Sequence, residues 1–367
     1  MKTDPRPRFA LPWPTSRLRR PPAALATRRS ARRAVLAGLF AYALLHVGFA
    51  LWLDYGPPRV RDPEYGKRLA AVRGRTADHP GRPLVLCVGS SRTAMGVRPD
   101  VLADRADVPL LVNFALAGSG PVMELMALRR AIADGVRPAA VLVEYWPAFL
   151  HEEGGYHEDA RIDAARLSPA DLPLVRGYFR DPSKAEKALA ARRLNPWFEH
   201  RHSLMNQLSP GWLPYHRRSE ALWDKIDGWG WLPGREGATP SERVSAEAAA
   251  AGYYRPLFAQ FTVSAVADRA LRQTLAECRE RGIPVALLYL PESATFRGYM
   301  PPAAQAHADS HLAAVRRDTD VPLIDARGWV ADEALPDGFH LTQTGAAVVT
   351  RRLADAVAET LPGSKPR

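Results

Sequence analysis

The chain has 367 residues, of which 47% are hydrophobic and 24% charged, enough to bury the core of one large domain or two small ones. Its formal charge of +11 is concentrated in residues 1–33, where ten basic residues and one acid give +9 and leave only about +2 elsewhere. That balance excludes an extended nucleic-acid-binding face, and two cysteines exclude a disulfide framework. We expect no nucleic-acid partner, and free, buried thiols at Cys87 and Cys278.

An uncharged run, AVLAGLFAYALLHVGFALWL, follows at residues 34–53. A helix of this length spans about 30 Å, the hydrocarbon thickness of a bilayer. We therefore predict a single-pass transmembrane helix. The preceding arginines predict that residues 1–33 form a cytoplasmic basic tail and that the rest of the chain is extracytoplasmic, in the periplasm or at the cell surface. Two alternatives stay open: an export signal cleaved after the Gly48-Phe49-Ala50 tripeptide, and a buried core helix.

The next segments predict a linker and one folded domain. Residues 54–82 are rich in proline, glycine and charge, which predicts a juxtamembrane linker with one short helix. Residues 83–361 alternate apolar strand-like runs with helical runs, and residues 362–367 form a tail. The predicted strands cover residues 83–89, 108–116, 139–147, 283–291 and 321–326. The alternation predicts an α/β fold, a three-layer α/β/α domain with a five-stranded parallel sheet.

Residues 151–263 break the alternation and predict a helical insertion between strands 3 and 4, before a crossover helix at residues 264–282. Ser168 and Asp181 are followed by proline and predict helix starts. The insertion is rich in aromatic residues. They predict either a binding cleft or a small core of the insertion's own.

Three motifs follow strand ends, where parallel sheets place their chemistry. The turn VGSSRT after the first strand contains Gly89 and Ser91, and the turn NFALAGSG after the second contains Asn113 and Gly118. Near the C-terminus, DGFH places Asp337 three residues before His340. A serine at a strand-to-helix turn and an acid–histidine pair are the parts of a nucleophilic acyl-transfer site.

In order and spacing these motifs resemble the SGNH (GDSL-like) hydrolase superfamily, in its membrane-anchored branch. The resemblance implies a flavodoxin-like sheet over roughly residues 83–361. It implies that Ser91 is the nucleophile, His340 its base and Asp337 the acid that orients the base. It further implies that the chain is a serine esterase or an O-acyltransferase.

The resemblance also implies oxyanion and substrate contacts. Gly118 follows Asn113 by five residues, as the oxyanion glycine of the family follows its asparagine. Arg92 is a further candidate donor or substrate contact, or it pairs with a local acid. The implied substrate is a cell-envelope glycan or another acylated envelope molecule, and an integral-membrane acyl donor is one option for a partner. No cofactor and no metal are expected.

The chain departs from the family pattern at two places. Ser90 stands where the family has an aspartate, and VEYWPAF at residues 143–149 replaces the Gly-x-Asn-Asp motif. Loss of one oxyanion donor costs roughly 3 to 4 kcal/mol of transition-state stabilisation. A catalytically inactive glycan-binding or assembly module is therefore the alternative function.

Other polar residues are weaker candidates. HEEGGYH at residues 151–157 lacks the spacing of a zinc helix, so we predict a loop, and we expect His200 and His202 at the surface. Glu292 follows the fourth strand. Its position allows a contact with substrate, but a solvated or helix-capping carboxylate is the favoured prediction.

Overall fold

The structure is a computed structural model that describes residues 28–151, 158–160, 162–214 and 223–361. The chain divides into two compact units, Met1–Gly48 and Phe49–Arg367. Helix α1 (Arg28–Tyr55) contains a candidate membrane span at Ser30–Tyr55, with a mean hydropathy of 2.0 and no buried position in its apolar window. A core helix would be mostly buried, so this finding argues against that alternative. A membrane anchor and an export signal both fit.

The second unit is built on a five-stranded parallel sheet with the strand order β2-β1-β3-β4-β5. Its strands are β1 (Leu84–Val88), β2 (Leu110–Asn113), β3 (Ala140–Glu144), β4 (Val285–Tyr289) and β5 (Leu323–Asp325). In register, Leu84 pairs with Leu110 and Val85 with Ala140. The predicted α/β class and all five predicted strands are confirmed. Chain direction across the sheet reverses between β1 and β3, which is where open parallel sheets bind ligands.

Both faces of the sheet are covered. The side chains of each strand point alternately into one of two hydrophobic cores. Leu84, Leu86 and Val88 of β1 enter one core, while Val85 and Cys87 enter the other. The first core is closed by α2 (Pro63–Asp78), α4 (Pro121–Ala133), α11 (Ala265–Glu280) and α13 (Pro302–Thr319), and the second by α14 (Gln343–Thr360). Cys87 and Cys278 are free and buried, as expected.

Shorter helices fill the remaining described chain. They are α3 (Ser91–Gly96), α5 (Pro147–Leu150), α6 (Leu172–Tyr178), α7 (Pro182–Leu194), α8 (Pro196–Glu199), α9 (Arg201–Leu208), α10 (Pro240–Ala259) and α12 (Ala294–Arg297). Helices α5 to α10 lie between β3 and α11 in the chain. The helix starts predicted at Ser168 and Asp181 are present: Ser168 forms a capping box with Asp171, and the Asp181 carboxylate accepts from the Lys184 N–H of α7.

The one helix predicted within residues 54–82 is present as α2, but it packs as part of the folded domain. This helix places Tyr65, Leu69 and Val72 in the first core and buries the charged side chains of Glu64 and Arg68. Proline, glycine and charge content suggested a linker, but the helix is amphipathic and packs with one face on the sheet domain. The predicted domain start at residue 83 is therefore too late.

The aromatic residues between β3 and α11 have two different environments. Tyr254 and Phe258 of α10 are buried in a cluster with Trp146 and Phe296. Trp212, in contrast, is among the most exposed large hydrophobic side chains. Some of the described aromatic side chains thus belong to a small core and others are exposed. They do not line one cleft as a group.

Candidate active site

The turn after β1 gives its two serines different positions. Ser90 is fully buried and is the N-cap of α3, where its hydroxyl accepts from the Arg92 N–H at 3.1 Å. Ser91 is the first residue of the helix and is partly exposed. The cap therefore uses the Ser90 hydroxyl and leaves the Ser91 hydroxyl at the edge of the sheet.

Glu144, the last residue of β3, holds this turn in place. Its Oε2 accepts from the Ser90 N–H at 2.7 Å and from the Thr93 hydroxyl at 2.7 Å. The approach explains Gly89, because a Cβ there would lie 2.5 Å from Glu144 Oε2 and 2.3 Å from Thr93 Oγ1. Glu144 belongs to the stretch that replaces the Gly-x-Asn-Asp motif. At this position the chain has a carboxylate that organises the serine turn.

The loop from Asp337 to His340 is anchored to the chain that follows β4. Gly338 has φ +93°, a left-handed conformation that favours glycine, and a Cβ there would lie 2.9 Å from Phe296 Cβ. The Gly338 carbonyl accepts from the Ser293 N–H at 2.8 Å. Together these contacts fix the direction in which His340 leaves the loop.

Ser91, His340 and Asp337 form one hydrogen-bonded chain. Ser91 Oγ lies 2.8 Å from His340 Nε2, and His340 Nδ1 lies 2.8 Å from Asp337 Oδ2. The other oxygen, Asp337 Oδ1, accepts from the His340 N–H at 2.8 Å and from the Phe339 N–H at 3.2 Å. Burial raises the pKa of Asp337, but the hydrogen bonds and the charge of His340 outweigh it, so the net pKa lies below the usual 3.8. An ionised Asp337 facing Nδ1 leaves Nε2 to accept a proton from Ser91.

Two carboxylates position the loop after β2, which carries Gly118. Glu64 of α2 accepts from the Ala117 N–H at 2.8 Å, and Glu158 accepts from the N–H groups of Gly120 and Val122, each at 2.9 Å. Gly118 has φ +77°, and no atom would lie within 4 Å of an added Cβ. The loop is thus held on both sides of Gly118.

Asn113 does not face the opening, and its predicted substrate-binding role is wrong. The side chain is fully buried, and its amide nitrogen lies 2.8 Å from Thr93 O and 2.7 Å from Val97 O. Its Oδ1 accepts from Arg68 Nη1 at 3.0 Å. Asn113 therefore ties α3 to the end of β2. Its buried amide is fully used by these hydrogen bonds, as buried polar groups usually are.

Arg92 is also buried, and it pairs with local acids, which was the alternative prediction for it. Its guanidinium donates to the carbonyls of Leu290 and Pro291, at 2.9 and 3.0 Å, and lies 3.6 Å from Glu292 Oε1. Glu292 is buried too and accepts from the Trp146 indole N–H at 2.7 Å. The expectation of a solvated Glu292 is wrong. Arg92 and Glu292 link the serine helix to the chain after β4.

Residues 223–235 pass beside the serine helix and the histidine loop. Leu232 N–H donates to Ala94 O at 3.0 Å, and the Trp231 indole N–H donates to Met95 O at 2.8 Å. Farther along, the Gln343 N–H donates to Arg235 O at 2.9 Å. This segment forms one wall of a cleft of about 400 Å³. The cleft is lined by Met95, Lys225, Arg235, Asp337, His340 and Leu341, among others.

Of the histidines singled out in the sequence, the structure describes His151, His200 and His202, and these three do not form a metal site. His151 is buried, and its Nδ1 lies 3.2 Å from Thr262 O. The rest of that motif, residues 152–157, lies outside the described residues, and so does the loop predicted there. The surface prediction is wrong for His200, which is 1% exposed, and burial together with Arg192 and Arg61 lowers its pKa to about 4. Among the residues that the structure describes, no group of three His, Cys, Asp or Glu side chains could hold a metal ion.

Sequence reasoning missed the residues that support the site from the interior. Glu144, Glu64 and Trp146 are all buried, and each makes its contact with a residue far away in the chain. Glu144 was the one with a readable signal, because a carboxylate is unusual at the end of a buried parallel strand.

Comparison with known proteins yields only remote similarity. No protein-family model matches the chain, and no curated protein matches it. Among solved structures it is similar to a lipase/acylhydrolase from Enterococcus faecalis, with 11% identity over 78% of this chain and 98% of that one and a TM-score of 0.33. It is also similar to a carbohydrate acetylesterase family member from Sinorhizobium meliloti, with 12% identity over 76% of this chain and 99% of that one and a TM-score of 0.30. Similarity at this level does not establish an activity.

Proposed function

We propose that this chain is a membrane-anchored, extracytoplasmic serine acyl-ester hydrolase or O-acyltransferase of the SGNH type. The observation that carries the proposal is the chain of two 2.8 Å contacts from Ser91 through His340 to Asp337. A hydroxyl, an imidazole and a carboxylate in this order make up a nucleophile, its base and the group that orients the base. Ser91 and His340 are 249 residues apart in the chain, so the fold, and not a local turn, brings them together.

The first half of the reaction forms an acyl-enzyme. His340 Nε2 takes the proton of Ser91 as Oγ attacks the ester carbonyl carbon, and the carbonyl oxygen becomes an oxyanion. The tetrahedral intermediate collapses with cleavage of the bond to the alcohol, which leaves with the proton from His340. Asp337 stabilises the imidazolium in between. The cleft beside His340 provides space for the departing alcohol.

The second half returns Ser91 to its starting state. His340 removes a proton from an acceptor, whose oxygen attacks the acyl carbon, and Ser91 leaves with that proton. Water as acceptor gives a carboxylic acid and an esterase, whereas a sugar hydroxyl gives a new ester and an O-acyltransferase. The chemistry on the enzyme is the same in both cases, so the acceptor alone separates them.

The oxyanion is stabilised by backbone N–H groups in this proposal. Ser91 opens α3, so its N–H lies ahead of the helix's own hydrogen bonds. Gly118 supplies the second N–H from the loop held by Glu64 and Glu158. Neither Asn113 nor Arg92 is placed to serve as a third donor. With two donors instead of three, we expect slow turnover, since each donor contributes roughly 3 to 4 kcal/mol.

Anchoring and substrate class are parts of the same proposal. The span Ser30–Tyr55 with arginines before it supports an uncleaved anchor and an extracytoplasmic catalytic unit. A domain tethered there would meet acylated envelope glycans, and an integral-membrane acyl donor would be its partner in transfer. The alternative function is an inactive glycan-binding or assembly module. It is favoured by the stretch at residues 143–149, which has no asparagine to serve as the family's third oxyanion donor.

Labelling with a serine-directed fluorophosphonate tests the proposal. The full-length protein should form a covalent adduct that maps to Ser91, and Ser91→Ala and His340→Ala should each abolish it. Ser241→Ala, which removes an exposed hydroxyl on α10, should label like the wild type. An unlabelled wild-type protein that binds envelope glycan would favour the binding module.

A further inference from the structure

We propose that an exposed apolar surface on α7 to α9 and the turn after them lies against the lipid bilayer, as a second membrane contact beside α1. The α7–α9 surface consists of Leu194, Trp197, Phe198, Leu208 and Trp212. The inference rests on the membrane anchoring proposed above and adds a surface to it. It concerns how the catalytic unit is held at the membrane and not the reaction itself.

The first observation is the concentration of exposed hydrophobic side chains. Leu194, Leu208 and Trp212 are each 80% exposed, Phe198 is 53% exposed and Trp197 is 43% exposed. Outside α1, the described residues include only two further large hydrophobic side chains with such exposure, Val244 and Tyr253. Single exposed hydrophobics are ordinary, but a cluster within 19 consecutive residues, 194–212, marks an interaction surface.

The second observation is that the surface is attached to the outer end of the candidate span. The Trp197 ring stacks on Phe49, with ring centroids 4.1 Å apart, and Phe49 also stacks on Trp52 at 5.9 Å. Phe49 and Trp52 both belong to the span Ser30–Tyr55. Where a span ends, the headgroup region begins, and aromatic residues are enriched there.

Buried ion pairs make that attachment firm. Asp54, near the end of α1, is buried and pairs with Arg192, and its Oδ2 accepts from Arg193 Nε at 2.7 Å. Arg61 adds a hydrogen bond to the Asp54 carbonyl at 3.2 Å. Because a buried carboxylate between two arginines resists separation, α7 keeps its position relative to the span end.

Charge favours a lipid bilayer over a second protein as the occupant. Basic side chains accompany the apolar ones on these helices: Lys184 and Lys187 on α7, and Arg201 on α9. The Arg201 guanidinium lies 3.7 Å from the centroid of the Phe198 ring. Aromatic and leucine side chains beside lysine and arginine are the composition of interfacial membrane segments, whose basic groups meet lipid phosphates.

Depth-dependent fluorescence quenching in nanodiscs tests the inference on the full-length protein. Cys87 and Cys278 are buried, so an added cysteine can be labelled selectively with the dye NBD. The test position is Leu208→Cys. The matched control is Val244→Cys on α10, which is also aliphatic and 67% exposed. Leu44→Cys in the span reports separately on the anchor. Doxyl-labelled phosphatidylcholine is the quencher, in discs with and without anionic lipid.

We expect lipid quenching and a blue-shifted emission at position 208, and neither at position 244. Equal signals at 208 and 244 would overturn the surface, even if position 44 is quenched and the anchor stands. Quenching at 208 without quenching at 44 would support the surface and refute the anchor. Concentration-dependent energy transfer between labels at 208 in detergent, without lipid quenching, would show a second copy as the occupant and overturn the inference.

Discussion

Ser90 and Ser91 carry the same hydroxyl one residue apart, and the atoms around them decide what each can do. Ser90 caps α3 and donates its N–H to Glu144, so both of its polar groups serve the turn. Ser91 points its hydroxyl at His340 instead. If Ser91 is not the nucleophile, Ser90 is a poor substitute, because the turn would have to open before its hydroxyl could reach an ester.

Asp337→Asn should separate two roles of Asp337, which are to hold the loop in place and to orient the imidazole of His340 by its charge. The amide oxygen can keep the hydrogen bonds from the N–H groups of Phe339 and His340, so the loop should fold as before. An amide N–H facing His340 Nδ1 favours the tautomer that carries its proton on Nε2, which cannot accept from Ser91. We expect kcat to fall by roughly 10³ to 10⁴-fold with KM little changed. Steady-state kinetics on an activated acetyl ester measures this, and a variant that keeps wild-type kcat would contradict the role of Asp337.

Sequence predicted the site residues that lie in short motifs better than those whose roles depend on distant contacts. DGFH and GSS are short motifs, and each keeps its reacting residue at the edge of the sheet. Asn113 and Arg92 looked equally functional, since each is a polar residue near a strand end. Their burial depends on α3 packing against the end of β2 and on the chain after β4, and these contacts join residues up to 199 positions apart. Spacing within a motif does not contain that information.

At the scale of elements, α2 is joined to the sheet domain by a buried ion network. Asp62, the N-cap of α2, lies 3.0 Å from Arg130 Nη1 of α4 and 2.8 Å from Arg166 Nη2. Arg166 also lies 3.0 Å from Glu64, which holds the Gly118 loop. The network therefore connects a segment outside the predicted domain to a wall of the candidate active site.

Asp62→Asn tests this network, because asparagine keeps the helix cap and removes the charge. Buried Arg130 and half-buried Arg166 then lose a carboxylate that balances their charge, and we expect the free energy of unfolding to fall by about 3 kcal/mol. Urea denaturation in detergent micelles measures the change. Asp104→Asn, at an exposed position, should leave stability unchanged. Equal stability of the two variants would show that the network contributes nothing.

The same carboxylate predicts how stability depends on pH. Burial raises the pKa of Asp62, but Arg166 and Arg130 outweigh it and hold the folded-state pKa below 3.8. A carboxylate that binds protons less tightly when folded stabilises above the unfolded pKa, and that contribution is lost as pH falls through the folded pKa. Wild-type stability should therefore drop below about pH 3.8 more steeply than that of Asp62→Asn. Parallel curves for the two proteins would contradict the assignment.

At the scale of the whole molecule, the proposed topology places the reacting residues and the N-terminal arginines on opposite sides of a membrane. A reporter fused after Arg367 should be active only outside the cytoplasm, because the arginines before the span keep residues 1–33 inside. Alkaline phosphatase and a fluorescent protein that folds only in the cytoplasm give opposite readouts for the same fusion. Membrane-bound protein with an intact N-terminus is expected. A mature chain that begins after Ala50 would identify the span as an export signal.

The architecture was more predictable than its boundaries. Strands such as Leu84–Val88 are apolar and end at glycine, so their existence and parallel pairing follow from composition and the alternation with helices. The helix within residues 54–82 was predicted, but its packing in the folded domain was not, because charged residues such as Glu64 and Arg68 suggested solvent exposure. They are in fact buried and partnered through Arg166 and Asn113, residues that sequence proximity does not connect to α2.

Ser91 and His340 should act as one catalytic unit, and a comparison of single and double variants shows whether they do. Acyl-ester turnover should be measured for the wild type, Ser91→Ala, His340→Ala and the double variant, with folding checked by circular dichroism. If the pair is one unit, each single substitution abolishes turnover and the double variant loses little more than either alone. Full activity in Ser91→Ala, or losses that multiply in the double variant, would contradict the claim.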